Sequence, residues 1–304
     1  MYWSITHITL ALTLSPLLLG VINRVKAFFG GRKGSRLFQT YYDIFKLLRK
    51  GGVYSRTTSW VFRAGPSIGL ASMLAALTLT PLGTTRALIS FPGDVILLAY
   101  LLGLARFATV IAALDTGSSF EGMGASREVQ FSVLAELAFL LGMVALAILG
   151  KSFSLSQFYG VSGINELPHM SAVVHLLVAA AFLIVLLTEN ARIPIDDPNT
   201  HLELTMVHEV MVLDHSGVDL GIIQIGSCLK LWIFGALFVG AALPVNTAHP
   251  GVNLLLSFIG LFILAILIGV IESSMARLRL LRVPQLLVTS CILSLLALIA
   301  AVRL

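Results

Sequence analysis

The sequence predicts an all-α integral membrane protein: eight transmembrane helices, with one amphipathic interfacial helix after the first span. Three observations carry that expectation. Of 304 residues, 57% are hydrophobic and 12% are charged, with a mean hydropathy of +0.95. Soluble domains carry about 25% charged residues, so this chain lacks the polar side chains to clothe a water-facing surface. Eight windows approach the roughly 20 apolar residues that cross a bilayer: about 4–22, 61–82, 94–114, 129–150, 170–190, 221–244, 252–272 and 284–302. None of them alternates with period two, which argues against a β-barrel. The composition also excludes disorder, collagen and a disulfide scaffold.

The first window has no positive charge before it and no small-residue cleavage site, while Arg24 and Lys26 follow it. That is the reverse of a signal peptide and predicts a retained first span. The loop after it is strongly basic, with Arg24, Lys26, Arg32, Lys33, Arg36, Lys46, Arg49, Lys50 and Arg56. Within it, 36–50 has helical period: Leu37, Phe38, Tyr41, Ile44, Phe45 and Leu48 share one face, and Arg36, Gln39, Asp43, Lys46 and Lys50 the other. Only Leu47 is out of place. Such a helix lies in the interface, as a surface anchor or as a ledge for a soluble partner.

Basic residues collect on cytoplasmic loops. Arg127, Arg192, Arg277, Arg279 and Arg282 join the first nine on odd-numbered loops, fourteen of the 20 bases; the even loops and the C-terminal end carry three, Arg86, Lys151 and Arg303. Both termini are therefore expected outside, with inner loops at about 23–60, 115–128, 191–220 and 273–283 of a single polytopic domain, 1–304. The net charge of +5 is mainly a topology signal and gives no reason to expect nucleic acid.

Two inner loops are acidic instead. Asp115, Glu121 and Glu128 flank Arg127, and Asp196, Asp197, Glu203, Glu209, Asp214 and Asp219 follow Arg192. Solvated loops, a partner surface or a proton route all fit that pattern. Arg106, Glu136, Glu189, Lys230 and Glu272 fall within spans or at their edges. Charge at the bilayer centre costs about 2.5–3.5 kcal/mol on insertion scales, so such residues face a bundle interior and mark ion or proton pathways. Burial raises a carboxylate's pKa and a nearby lysine lowers it again, which makes alternating Glu and Lys a workable relay. Glu128 and Glu136 lie close to one helical face. Glu189 and Glu272 sit near span ends, where reaching the interface is the plainer reading.

No metal site is expected. His201, His208 and His215 recur every seven residues, two helical turns or about 10 Å apart, too far to share one ion. The metalloprotease spacing HExxH is absent, and the stretch reads as a polar helix facing a protein partner. Cys228 and Cys291 fall in separate spans, too few for an iron–sulfur cluster or structural zinc. With no GxGxxG, P-loop or GxSxG, any redox cofactor belongs on another subunit.

Four segments carry a resemblance: GRKGSRLFQTYYDIFKLLRK (31–50), LDTGSSFEGMGASRE (114–128), ENARIPID (189–196) and ESSMARLRL (272–280). They resemble, in order and over effectively the whole chain, the membrane anchor family shared by respiratory complex I (its subunit 1) and energy-converting hydrogenases. The hydrogenase branch, with formate hydrogenlyase subunit 4 and the hydrogenase-4 anchor, is the closer likeness. The resemblance implies a subunit that grips a hydrophilic electron-transfer arm and joins it to antiporter-like membrane subunits in a bacterial or archaeal cytoplasmic membrane. Implied partners are hydrogenase-like large and small subunits and a ferredoxin-like subunit, which would carry the iron–sulfur clusters and a nickel–iron centre. No cofactor is expected on this chain. The implied proton pathway takes in Glu128, Glu136, Glu189, Asp196, Glu203, Glu209, Lys230, Glu272 and Arg106. Implied docking residues are Arg32, Lys33, Arg36, Asp115, Arg127, Arg192, Asp214, Arg277 and Arg279.

The chain also departs from the family. PIDDPNTHLEL stands where relatives have PFDxxEAExEL, with Asn199 and His201 in place of glutamates, and LDHSG replaces EYSG. Histidines titrate near neutrality and keep proton exchange open, but a quinone chamber like that of complex I is disfavoured. A true NADH–quinone oxidoreductase anchor with a quinone site remains one alternative. A stand-alone secondary transporter is another, although the inverted repeats that would mark it are not evident.

Overall fold

A computed structural model describes residues 2–158, 169–196, 206–244, 247 and 249–304. Among these residues the architecture is all-helical, with eight helices long and apolar enough to cross a membrane. They are α1 (Tyr2–Phe29), α3 (Trp60–Leu79), α4 (Asp94–Asp115), α5 (Ser119–Gly150), α7 (His169–Glu189), α8 (Gly217–Ala242), α9 (Pro250–Ser274) and α10 (Val283–Val302). The short helices α2 (Gln39–Leu48) and α6 (Leu155–Phe158) lie between spans.

Hydrophobicity does not hold such helices together in lipid, so close backbone approach and hydroxyl hydrogen bonds do. α10 packs on α5 and α7, where Ser294 Oγ donates to Ala138 O at 2.8 Å and Ser290 Oγ to Ala181 O at 3.0 Å. The pairs α3–α4 and α1–α9 close the other side of the bundle. Trp232 of α8 is fully buried at the centre, its indole N–H donating to His7 Nε2 at 3.1 Å.

Three elements differ from the apolar windows. α1 continues to Phe29, so Lys26 rides on a helix rather than in a loop. α5 begins at Ser119, which makes most of the acidic stretch 115–128 a helical extension of the span. Charged residues there are displayed at fixed helical angles rather than on a solvated loop.

The third is the helix expected over 36–50, which forms as α2, with its apolar residues divided between two sides. Thr40 and Ile44 are buried, while Phe38, Tyr42 and Phe45 are more than half exposed. Leu47, the misfit of the simple wheel, lies beside Gly221 of α8. The chain clears this helix through Gly217, which has a φ of +55°, and whose position against the carbonyl of Gly51 leaves no room for a Cβ. Only glycine tolerates both conditions.

The stretch after Met206 is not the polar helix that the histidine spacing suggests. Among described residues it contains one 3-10 turn, Glu209–Val212, and Met206, Val207, Val210, Met211, Val212 and His215 are buried. Its apolar residues outweigh the polar period, and the segment sinks onto α5. Gly124 permits this: a Cβ there would meet Val210 Cγ1 at 2.4 Å and Val207 O at 2.9 Å.

Candidate functional site

Four helices bring their charges to one place. Arg106 of α4 stands between three carboxylates: Nη2 lies 2.5 Å from Glu189 Oε1 of α7, Nη1 3.3 Å from Glu136 Oε2, and Nε 3.9 Å from Glu128 Oε1, both on α5. Lys230 of α8 completes the group, its Nζ 2.8 Å from Glu189 Oε2. Glu189 is thus clamped between two cations, with its side chain 4% exposed. Glu128 and Glu136 do share a face of α5, and both look toward Arg106.

The chain of charge is not closed at its far end. The Glu136 side chain is 44% exposed on the lateral surface of the bundle, in the middle of an apolar span. Isolated exposure of a carboxylate to hydrocarbon is costly, so Arg106 keeps it in partial neutralisation.

A second group lies where α1, α7 and α9 end. Glu272, with a fully buried side chain, takes Lys26 Nζ at 2.7 Å and Arg192 Nη1 at 3.3 Å. Asp196 takes Arg277 Nη2 at 2.7 Å and accepts the backbone N–H of Val207 and of His208 at 2.9 and 3.3 Å. Glu189 and Glu272, each near a span end, are both buried. Both meet cations inside the bundle.

Between the groups is a cavity of about 260 Å³, lined among others by Asp43, Glu189, Arg192, His208, Glu209 and Lys230. A smaller one of about 70 Å³ shares His208 and Lys230 with it and reaches Glu128, Arg106 and His215. His215 stacks on Phe62, ring centroids 3.9 Å apart. Burial pushes its imidazole pKa down, against the opposing pull of Asp219 and Asp214. Near it, the Tyr54 phenol is held above its ordinary range, first by its hydrogen bond to Asp219.

Of the proton-pathway residues expected from the sequence, Arg106, Glu128, Glu136, Glu189 and Lys230 are one cluster. Asp196 and Glu272 belong to the second group, Glu209 lines the cavity, and Glu203 lies outside the described residues. Among the docking residues, Arg32, Lys33, Arg36, Asp214 and Arg279 are exposed. Arg192, 8% exposed, pairs with buried Glu272, and Arg277, with a side chain 20% exposed, pairs with buried Asp196. Arg127 donates to Met206 O at 3.0 Å. Asp115 caps α3, accepting from Ser59 N at 2.7 Å and Ser59 Oγ at 2.8 Å.

Three functional candidates are not evident from sequence. Lys26 counts there only toward topology. Asp43 falls on the polar face of the wheel, although a lone acid in a strongly basic segment is a signal. Glu121, 1% exposed, accepts the N–H of Asp214 at 3.0 Å and locks the inner segment to α5.

An all-helical, multi-pass membrane protein with two buried ion-pair groups is thereby defined. The chain belongs to the family described as NADH dehydrogenase, which it matches over residues 3–302. It is similar to formate hydrogenlyase subunit 4 of Escherichia coli (strain K12), 32% identical over 88% of this chain and 87% of the relative. It is also similar to hydrogenase-4 component C of the same organism, 29% identical over 90% and 87% of the two chains. The fold matches a chain in the structure of the membrane-bound sulfane sulfur reductase, an archaeal respiratory membrane complex, with TM-score 0.82 and 19% identity over 99% of this chain and 98% of that one.

Proposed function

We propose that this chain is the membrane anchor subunit of a complex I-like, hydrogenase-type redox complex, and that it couples the redox arm to proton or sodium translocation. The observation that carries the reading is the line Lys230–Glu189–Arg106–Glu136, which runs from a polar cavity to a carboxylate open on the side of the bundle. The cavity is polar and large enough for several waters, which would deliver a proton to Glu189. A change in charge at the cavity shifts the pull of Lys230 on Glu189, and Arg106 passes that shift to Glu136. Glu136 faces the place where an antiporter-like subunit would pack.

The names of the two bacterial relatives support the hydrogenase branch over a quinone-linked one. In this reading the exposed bases Arg32, Lys33, Arg36 and Arg279, with Asp214, dock hydrophilic redox subunits. Iron–sulfur clusters and a nickel–iron centre sit on those partners, and the chain itself holds neither. The outward aromatics of α2, Phe38, Tyr42 and Phe45, rest in the interface of a cytoplasmic membrane, with both termini outside.

Purification from membranes in mild detergent, followed by mass spectrometry and iron and nickel analysis, tests the assignment. Co-elution of redox subunits with both metals is expected. A chain that elutes alone in every gentle detergent would refute the anchor role and favour a stand-alone transporter.

A further inference from the structure

At the span ends opposite α2, the connections α3–α4, α5–α6 and α8–α9 surround a second large hollow, of about 430 Å³. It lies away from both ion-pair groups. Its lining includes Arg86, Lys151, Thr84, Ser152, Ser156 and Asn253. Only three bases lie beyond the spans on this side, Arg86, Lys151 and Arg303, and two of them meet on this one hollow.

Neither base is ion-paired among the described residues. The carboxylate of Asp94 is spent elsewhere, accepting Ser154 Oγ and Leu155 N at 2.8 Å each. Lys151 caps the C-terminus of α5, and the helix dipole alone accounts for a cation there. That explanation does not extend to Arg86.

The hydroxyls are less uniform. Ser156 accepts Ala87 N at 3.0 Å, which pins the Arg86 segment, and Asn253 Oδ1 accepts Thr247 N at 2.9 Å. Thr84 Oγ1 is buried without a hydrogen-bond partner among the described residues. An unmade hydrogen bond at a buried hydroxyl is costly, so a ligand oxygen there has something to gain. Two cations and a hydroxyl without partners among the described residues are the donor set for a phosphate monoanion or dianion.

We propose that this hollow binds a phosphate group and that the headgroup of an anionic phospholipid supplies it. Leu88, Ile89, Phe91 and Phe153, on the same connections, are 38–65% exposed. They put apolar side chains beside the hollow, against which the acyl chains of such a lipid would lie.

The test uses the purified protein with whatever subunits accompany it, stripped of lipid in detergent. It is titrated with phosphatidylglycerol, with phosphatidylcholine as control, and read by native mass spectrometry; equilibrium dialysis with labelled inorganic phosphate runs in parallel. One retained phosphatidylglycerol is expected, released by Arg86→Gln with Lys151→Gln. With about 1 kcal/mol from each base near a membrane surface, the double variant weakens binding by about 30-fold, at 1.4 kcal/mol per tenfold. If the double variant does not fold, Thr84→Val serves, since it removes the unspent hydroxyl and keeps both charges. Phosphate retained in dialysis without lipid retention upholds the phosphate site and overturns the lipid as its source. Binding of neither, or binding unchanged in the variants, overturns the proposal.

Discussion

Glu136 is the residue on which the functional reading turns. Its carboxylate is the only one of the Arg106 group with a largely open side chain, 44% against 14% for Glu128 and 4% for Glu189. Glu136→Gln keeps shape and hydrogen-bonding capacity but removes the charge, so subunit assembly should persist. Proton translocation, or turnover coupled to it, should fall by about tenfold or more, because general acid–base steps contribute roughly 10²–10⁴-fold where one group carries them. Assembly is checked by co-purification and translocation by a pH-sensitive dye in vesicles. Unchanged pumping in an assembled variant would remove Glu136 from the pathway. Arg106 is a different kind of residue. Removing one partner of a buried ion pair costs about 3–5 kcal/mol, and here Glu128 and Glu136 would lose their cation while Glu189 kept only Lys230, so its loss reports on folding before function.

The elements show where sequence reading succeeds and where packing takes over. The spans are legible because 20 apolar residues have few other uses, and Arg106, Glu136 and Lys230 stand out as charges inside them. Arg192 and Arg277 do not declare their direction, since a basic residue in an inner loop serves topology equally well from solvent or from a buried carboxylate. Asp43 is misplaced by the wheel because a single apolar side hides the fact that α2 packs on α8 while Tyr42 and Phe45 stay exposed. Periodicity also misleads at 206–215, where heptad-spaced histidines suggest a polar helix but a short 3-10 turn with buried valines packs closely on Gly124. That segment is pH-sensitive in a predictable direction. His215 is buried against Phe62 with its pKa pushed down, so the unfolded segment binds a proton more readily than the packed one. Packing is therefore unaffected above the ordinary imidazole range and weakens as pH falls through it. Asp214 and Asp219 oppose the shift, and Glu128, His208, Arg106 and Lys230 line the same small cavity. Limited proteolysis of the 206–215 segment should accelerate on mild acidification, and His215→Gln should flatten that dependence. Equal acid sensitivity in the variant would assign it to another group.

At the scale of the whole molecule, orientation decides which end of the charge line meets which compartment. Lys26, Arg32, Lys33 and Arg36 share an end with the Glu272 group and the 260 Å³ cavity, whereas Arg86, Lys151 and the C-terminal Arg303 lie at the other. Fourteen bases against three predict that the first end faces the cytoplasm. If so, the cavity draws protons from the side on which a hydrophilic arm would dock, and docking can gate it directly. In the opposite orientation the same cavity would open away from the redox chemistry, and the coupling scheme would fail whatever the buried residues do. Single cysteines at exposed positions separate the two cases: Lys33→Cys and Arg303→Cys, in a background with Cys228 and Cys291 replaced by serine. A membrane-impermeant maleimide applied to intact spheroplasts should label the thiol at position 303 and leave position 33 untouched until the membrane is broken. The reverse pattern would overturn the orientation and, with it, the direction of the proposed proton path, while leaving the family assignment intact.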